Sequence, residues 1–299
     1  MKIRKILLSF SILLLIVGCV KDRQDKTNIV VTIYPFKSII KEIAGDKVKI
    51  DVLLPAGADP HTYEMSPSDL IKIQNAKIFF YGAESLDGWA AKVDAEKKIE
   101  LLKLIPKEFL IDIKSNDDHS HHADDKNHIY YGVDPHFWND PLTVNSILDS
   151  LTEILSSLYP NDKDFFKHNA MKFSEKLVEL DKKIKEQTKS LESNKVFSAH
   201  PFYNYFFNRY GIEVVGSLEI SPGQQITPKS LKNISEEISR KNVKAIFINR
   251  QHISKPAQLL AEYAKIKLVE LDPMGGTNNL TTYENIILNN LNLIIKALR

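Results

Sequence analysis

The chain has a single cysteine, Cys19, among 299 residues. An internal disulfide is therefore excluded, and so is a zinc site built from cysteine pairs. Stability has to come from burial of apolar side chains. An excess of one charge is also missing: 40 Lys and Arg face 38 Asp and Glu, with no basic stripe and no nucleic-acid motif. Nucleic acid is set aside as a partner on that ground. No run reaches the roughly 20 apolar residues of a comfortable membrane span. The His-Glu-x-x-His signature of zinc hydrolases is absent as well.

What is present starts with Lys2, Arg4 and Lys5, followed by an apolar run from Ile6 to Val17. Basic start, apolar middle and small exit residue describe a secretory signal. The run closes on Ile16-Val17-Gly18-Cys19, which resembles a bacterial lipobox, where the cysteine takes a diacylglyceryl group and becomes the first mature residue. The expectation is a lipoprotein signal over 1–18, lipidation at Cys19 and a polar tether over 19–27. Losing the three basic residues turns the formal charge from +2 to about −1, so the mature body is near neutral.

Beyond the tether, β-branched runs alternate with helical spacing. Strands are expected over 28–34, 48–54, 76–81 and 110–114, then 196–198, 213–215, 244–248 and 267–271. Helices are expected over 36–44, from Ser66-Pro67-Ser68-Asp69 onward, and up to Tyr210. Such alternation argues for parallel βαβ units. Residues 162–192 lack Gly and Pro and place Phe166, Ala170, Phe173, Leu177, Leu180 and Ile184 at steps of three and four. That is one long amphipathic helix. The fold class expected is α/β: two βα lobes, 28–161 and 193–299, joined by one long rigid helix, with a metal site in the interlobe cleft.

Three histidines stand in unusual settings: Asp59-Pro60-His61-Thr62-Tyr63-Glu64, Asp134-Pro135-His136-Phe137-Trp138-Asn139-Asp140-Pro141, and Ser198-Ala199-His200-Pro201. Each follows an apolar or β-rich run, where open α/β sheets place ligands. Leu271-Asp272-Pro273-Met274-Gly275-Gly276 repeats the setting with a carboxylate. Imidazole nitrogen and carboxylate oxygen suit borderline divalent metals such as zinc. Taken singly, each residue has a bland reading as a solvated or turn-forming group; their shared placement, two in each lobe, lifts the joint one. His252 is the spare candidate, Glu64 a weaker substitute, and His168 is expected on the surface. Within 117–128, His119, His121, His122 and His128 alternate with carboxylates, the composition of an auxiliary metal-collecting loop.

Together these segments resemble the solute-binding lipoproteins of bacterial ABC importers for zinc and manganese, the cluster A-I family that includes ZnuA-like proteins. The resemblance runs the whole length, and Asp-Pro-His-Phe-Trp-Asn-Asp-Pro is its most specific part. It implies a metal held by His61, His136, His200 and Asp272. Histidine at the third position resembles the zinc-type members, so Zn2+ is the implied cargo and Mn2+ the second choice. It further implies an extracytoplasmic, lipid-anchored, monomeric protein with no enzymatic activity. Its partners would be an ABC permease and a separate ATPase subunit, since no nucleotide motif is present. A surface adhesin and, remotely, a zinc hydrolase are the alternatives. Because imidazoles must be neutral to coordinate, zinc occupancy is expected to fall as the pH drops through about 6.

The anchor is tested at Cys19. A Cys19→Ser protein should move from the membrane to the soluble or secreted fraction on cell fractionation; retention with the membrane would contradict the lipobox.

Overall fold

A computed structural model of the protein describes residues 28–113, 132–218, 227–252, 255–277 and 279–299. The signal, Cys19 and the tether lie outside the described residues, as do His119, His121, His122 and His128.

The first lobe is a parallel sheet of β1 (Asn28–Val31), β2 (Lys49–Val52), β3 (Ile78–Tyr81) and β4 (Lys98–Glu100), in the order β2-β1-β3-β4. Val30, Val31 and all four residues of β3 are buried. Parallel strands covered on both faces read as continuous apolar runs, which is why the sequence marks them. Three helices intervene: α1 (Tyr34–Ala44), α2 (Pro67–Gln74) and α3 (Glu84–Ala91). Ser66 and Asp69 close the start of α2 with a capping box around Pro67. Then come α4 (Pro141–Ser146), α5 (Leu148–Leu158) and the long α6 (Lys163–Thr188).

The second lobe repeats the topology. Strands β5 (Lys195–Ser198), β6 (Glu213–Ser217), β7 (Ala245–Asn249) and β8 (Lys267–Leu271) lie parallel in the order β6-β5-β7-β8. Helices α7 (Asn204–Arg209), α8 (Pro228–Arg240), α9 (Lys255–Ala264) and α10 (Tyr283–Leu298) accompany them.

The fourth strand is a correction to the sequence reading. It lies at 98–100, and among the described residues 110–113 contribute one antiparallel bridge, between Asp112 and Val133. The apolar residues Leu110 and Ile111 pack against the common core, and the Ile111 N–H is bonded to Tyr205 Oη. Their alternation reports burial between the lobes rather than a place in the sheet.

Helix α6 buries the six apolar positions its spacing singled out, plus Asp181. Its 26 residues span about 39 Å. It packs against α1, α4 and α5 and also against α10, so it touches both lobes rather than crossing open solvent between them.

Strand alternation makes the lobes share a core. Ile29, Val31, Ile78 and Phe80 of the first sheet belong to the same apolar cluster as Val196, Ala245 and Phe247 of the second. The opposite faces form two separate clusters, around Val30 and Phe79 in one lobe and Phe197 and Ile246 in the other. The segment 134–141 stitches the lobes together over this core. Trp138 Nε1 donates to Pro273 O at 2.9 Å, Asn139 Nδ2 to Phe202 O at 2.9 Å, and Tyr205 Oη to Asp134 O at 2.9 Å. Tyr283 Oη donates back to Trp138 O at 2.8 Å. Gly276 follows the same logic: its φ is 78°, and a Cβ there would come within 2.8 Å of the Tyr34 ring. The Met-Gly-Gly run thus permits a close approach between lobes.

Arg209 on α7 reaches across to buried Asp140, with Nη2 at 2.6 Å and Nε at 2.9 Å from one carboxylate oxygen. Removing one partner of a buried pair leaves an uncompensated charge, a loss of about 3–5 kcal/mol when both groups are fully buried. Arg209 is 28% exposed. Arg209→Met should therefore cost about 2 kcal/mol by urea unfolding; a loss below about 0.5 kcal/mol would show that the pair does not hold the seam.

Candidate metal centre

The first two histidines are placed by one local device. In Asp59-Pro60-His61 and in Asp134-Pro135-His136, the aspartate Oδ1 accepts the backbone N–H two residues on, at 2.9 Å in each case. This Asx turn presents the following imidazole outward from a rigid loop. The first loop is held further by Trp89 Nε1, which donates to Pro60 O at 2.8 Å, and by the ring of Tyr63 against Trp89. Tyr63 Oη also bonds to Asp69. His61 follows β2, as expected, but His136 does not follow a sheet strand. It comes after the single bridge at Val133 and opens the turn leading into α4. His200 directly follows β5, whose pairing continues through Ala199 N–H to Phe247 O at 2.8 Å.

These loops bring the three imidazoles into one triangle. Ring centroids stand 5.4 Å apart for His61 and His136, 5.2 Å for His61 and His200, and 5.3 Å for His136 and His200. One ligand atom from each lies within 4.8 Å of the others. His61 Nε2 and His136 Nε2 are 3.3 Å apart. Two nitrogens bound to one zinc at about 2.0–2.1 Å with tetrahedral angles stand roughly 3.3–3.4 Å apart.

The tautomers agree with that geometry. Asp134 Oδ1 lies 2.8 Å from His136 Nδ1, which fixes the proton there and leaves Nε2 as a lone pair. The Ser85 carbonyl accepts from the His61 ring. With His61 Nε2 turned to His136, that bond falls to Nδ1. The turn carrying Ser85 is braced by buried Asp87, which accepts from Thr32 Oγ1 at 2.6 Å and from the N–H groups of Gly82 and Ala83. Burial pushes the Asp87 carboxyl up to about 6 against the pull of these bonds. Among the described residues His200 Nε2 has no hydrogen-bond partner although it is buried. The close approach of His61 and His136 at 3.3 Å, beside a buried unpartnered nitrogen of His200, makes a set of donors that could hold a cation.

Asp272 is not part of the triangle. It makes a third Asp-Pro turn: Oδ1 accepts from Met274 N–H at 3.1 Å, Gly275 N–H at 2.9 Å and Gln251 Nε2 at 3.0 Å. Oδ2 stands 3.9 Å from Arg250 Nη1. Buried Asn290 holds the Asp272 backbone from both sides, donating to its carbonyl at 2.8 Å and accepting its N–H at 2.9 Å. Glu64 is exposed, and His168 sits on the exposed face of α6. His252 lies outside the triangle, 3.4 Å from Asp59. Ser85, Asp87 and Trp89 escaped the sequence reading because they act through contacts of α3 with neighbouring loops, for which no spacing signal exists.

Burial and the neighbouring His136 lower the His61 pKa from 6.5 to about 4. Burial and the other two rings likewise hold His200 well below its ordinary value. Proton competition for the site is therefore moved to lower pH than the value near 6 expected of ordinary imidazoles.

A family model described as ZnuA, zinc-uptake complex component A periplasmic, matches residues 29–297. The zinc-binding lipoprotein AdcA of Streptococcus pneumoniae strain R6 is 29% identical over 279 residues, covering 92% of this chain and 56% of its own length. The chain thus spans about half of that relative. The high-affinity zinc uptake system protein ZnuA of Bacillus subtilis strain 168 is 27% identical over 271 residues, covering 87% of this chain and 82% of its own. The Zn(II)-bound structure of a variant of AdcAII from Streptococcus pneumoniae superposes with a TM-score of 0.77 at 25% identity, over 91% of this chain and 98% of that one.

The depressed imidazoles set a pH dependence. A group with lower proton affinity folded than unfolded takes up protons on unfolding, so stability falls as pH drops between the two values. The zinc-free protein should lose stability between pH 6.5 and about 4, and His61→Gln should flatten that loss. Urea midpoints at pH 7 and pH 5 measure it; equal midpoints for the unaltered protein would contradict a neutral, desolvated His61.

Proposed function

The chain belongs to the zinc-uptake complex component A family, and from that membership we propose that it captures zinc outside the cytoplasm and delivers it to an ABC importer. The observation that carries the proposal is the imidazole triangle, with two Nε2 atoms at the separation tetrahedral zinc requires. His61, His136 and His200 would bind through Nε2, and Asp272 would complete the shell through Oδ2. Three nitrogen donors favour zinc over manganese, which prefers carboxylate and water oxygen.

The same geometry speaks for holding a metal rather than for hydrolysis. A zinc hydrolase keeps one position open to water and sets a general base beside it. Here the carboxylates next to the site are engaged: Asp134 with His136, and Asp59 with the His61 backbone. We read the protein as a binding component without catalytic activity.

Delivery requires partners. The ATPase and the permease would be separate chains, and the protein would be a monomer tethered by a lipid on Cys19. Among the described residues no helix is long and apolar enough to cross a membrane. Zinc bound by His61 from one lobe and His200 from the other is released once those loops part. The shared core and the seam at 134–141 keep that parting small, so the permease need only separate the loops at the mouth.

The metal choice is tested at His200. Losing a contact that merely supports a ligand costs about 10–100-fold in metal affinity, so His200→Ala should cost zinc at least that. His200→Glu substitutes a hard oxygen donor and should narrow the preference for zinc over manganese. Chelator competition at pH 7 reads both; zinc affinity unchanged in His200→Ala would place the site elsewhere.

A further inference from the structure

We infer that Asp59 and His252 form a clasp across the mouth of the cleft, and that this pair sets how fast zinc leaves. The inference rests on reading the three imidazoles as the zinc site. Asp59 belongs to the first lobe and uses its two oxygens for two tasks. Oδ1 accepts the His61 N–H at 2.9 Å, and Oδ2 lies 3.4 Å from Nδ1 of His252 in the second lobe. The turn that presents His61 is thereby joined through one side chain to the opposite lobe.

The turn carrying His252 is firmly seated in its own lobe. The Arg250 N–H donates to Leu271 O at 2.9 Å, Gln251 Nε2 to Asp272 Oδ1 at 3.0 Å, and the His252 N–H to Asn249 O at 3.1 Å. On the other side the His61 loop is held to α3 by Trp89. Both halves of the contact are therefore anchored, and parting the loops has to break it. The aspartate is 11% exposed and the histidine 30%, so the contact is partly shielded from water and salt. By contrast, the contacts of Trp138, Asn139, Tyr205 and Arg209 belong to the seam over the shared core and do not involve the Asp59 turn that presents His61.

A contact present only while the loops are together adds to the barrier for release and leaves capture nearly unaffected, since capture begins with the loops apart. Asp59 and His252 act as positioning residues through His61. For a partly exposed pair the expected effect is about fivefold on the dissociation rate.

Two variants isolate the contact. Asp59→Asn keeps a side-chain oxygen for the His61 N–H while weakening the approach to His252, and His252→Phe keeps the ring but removes its nitrogens. Zinc release from the full-length protein into excess chelator, followed by stopped flow, should be about fivefold faster in each. The double variant should be no faster than the faster single one, because both changes break the same contact. His252→Gln, whose amide can still donate to Asp59, should recover part of the slow release. Release rates within 1.5-fold of the unaltered protein in both single variants, or effects that multiply in the double variant, would overturn the clasp while leaving the zinc site standing. An unaltered protein that takes up no zinc would overturn the site and the clasp with it.

Discussion

His136 is fixed by the same eight residues that join the two lobes. Asp134 locks its ring, while Trp138, Asn139 and Asp140 bond to the second lobe or receive bonds from it. One imidazole thus belongs to the seam itself, and His61 and His200 converge on it from either side. The spacing of the rings is set by these loops and their hydrogen bonds. Preorganisation of this kind lowers the ordering cost that binding would otherwise incur. It also gathers three imidazoles in a largely desolvated pocket.

The two lobes divide the work unequally. Their inner sheet faces share one core, which resists hinge motion at the base. The loops at the carboxyl ends of the strands are bonded locally and can shift over shorter distances. The low proton affinity of His61 and His200 keeps both in the coordinating form well below neutral pH. Under the proposed zinc-binding role, acidification would therefore compete with the metal only well below neutrality.

Much of this was legible in the chain. The β-branched runs marked β1, β2, β3, β5, β6, β7 and β8, most plainly the central strands β1, β3, β5 and β7, whose burial on both faces needs continuous apolar sequence. The period of 162–192 marked α6 because a helix with one buried stripe repeats apolar residues at steps of three and four. Strand β4 was missed because Lys98-Ile99-Glu100 is too short and too charged to show a pattern, and 110–114 was misplaced because interlobe packing mimics strand alternation. Helices α4 and α8 were not expected from the sequence, although Asp140-Pro141 and Thr227-Pro228 carry the side-chain caps that start them. The three histidines were visible from their contexts, but the shared Asx turn that makes Asp-Pro-His useful became apparent only from the hydrogen bonds. The same turn engages Asp272 Oδ1 in its own loop and leaves Oδ2 as the oxygen available to the proposed shell. The Asp59–His252 contact left no trace in spacing, since it joins positions in different lobes.

The central claim is that the folded chain holds three imidazole nitrogens ready for one tetrahedral zinc ion. X-ray absorption at the zinc edge of the stoichiometrically loaded protein tests it most directly. The account predicts four light ligands at about 2.0–2.1 Å, with the multiple-scattering signature of three imidazoles. A six-coordinate oxygen shell, or a shell with fewer than two imidazoles, would contradict it.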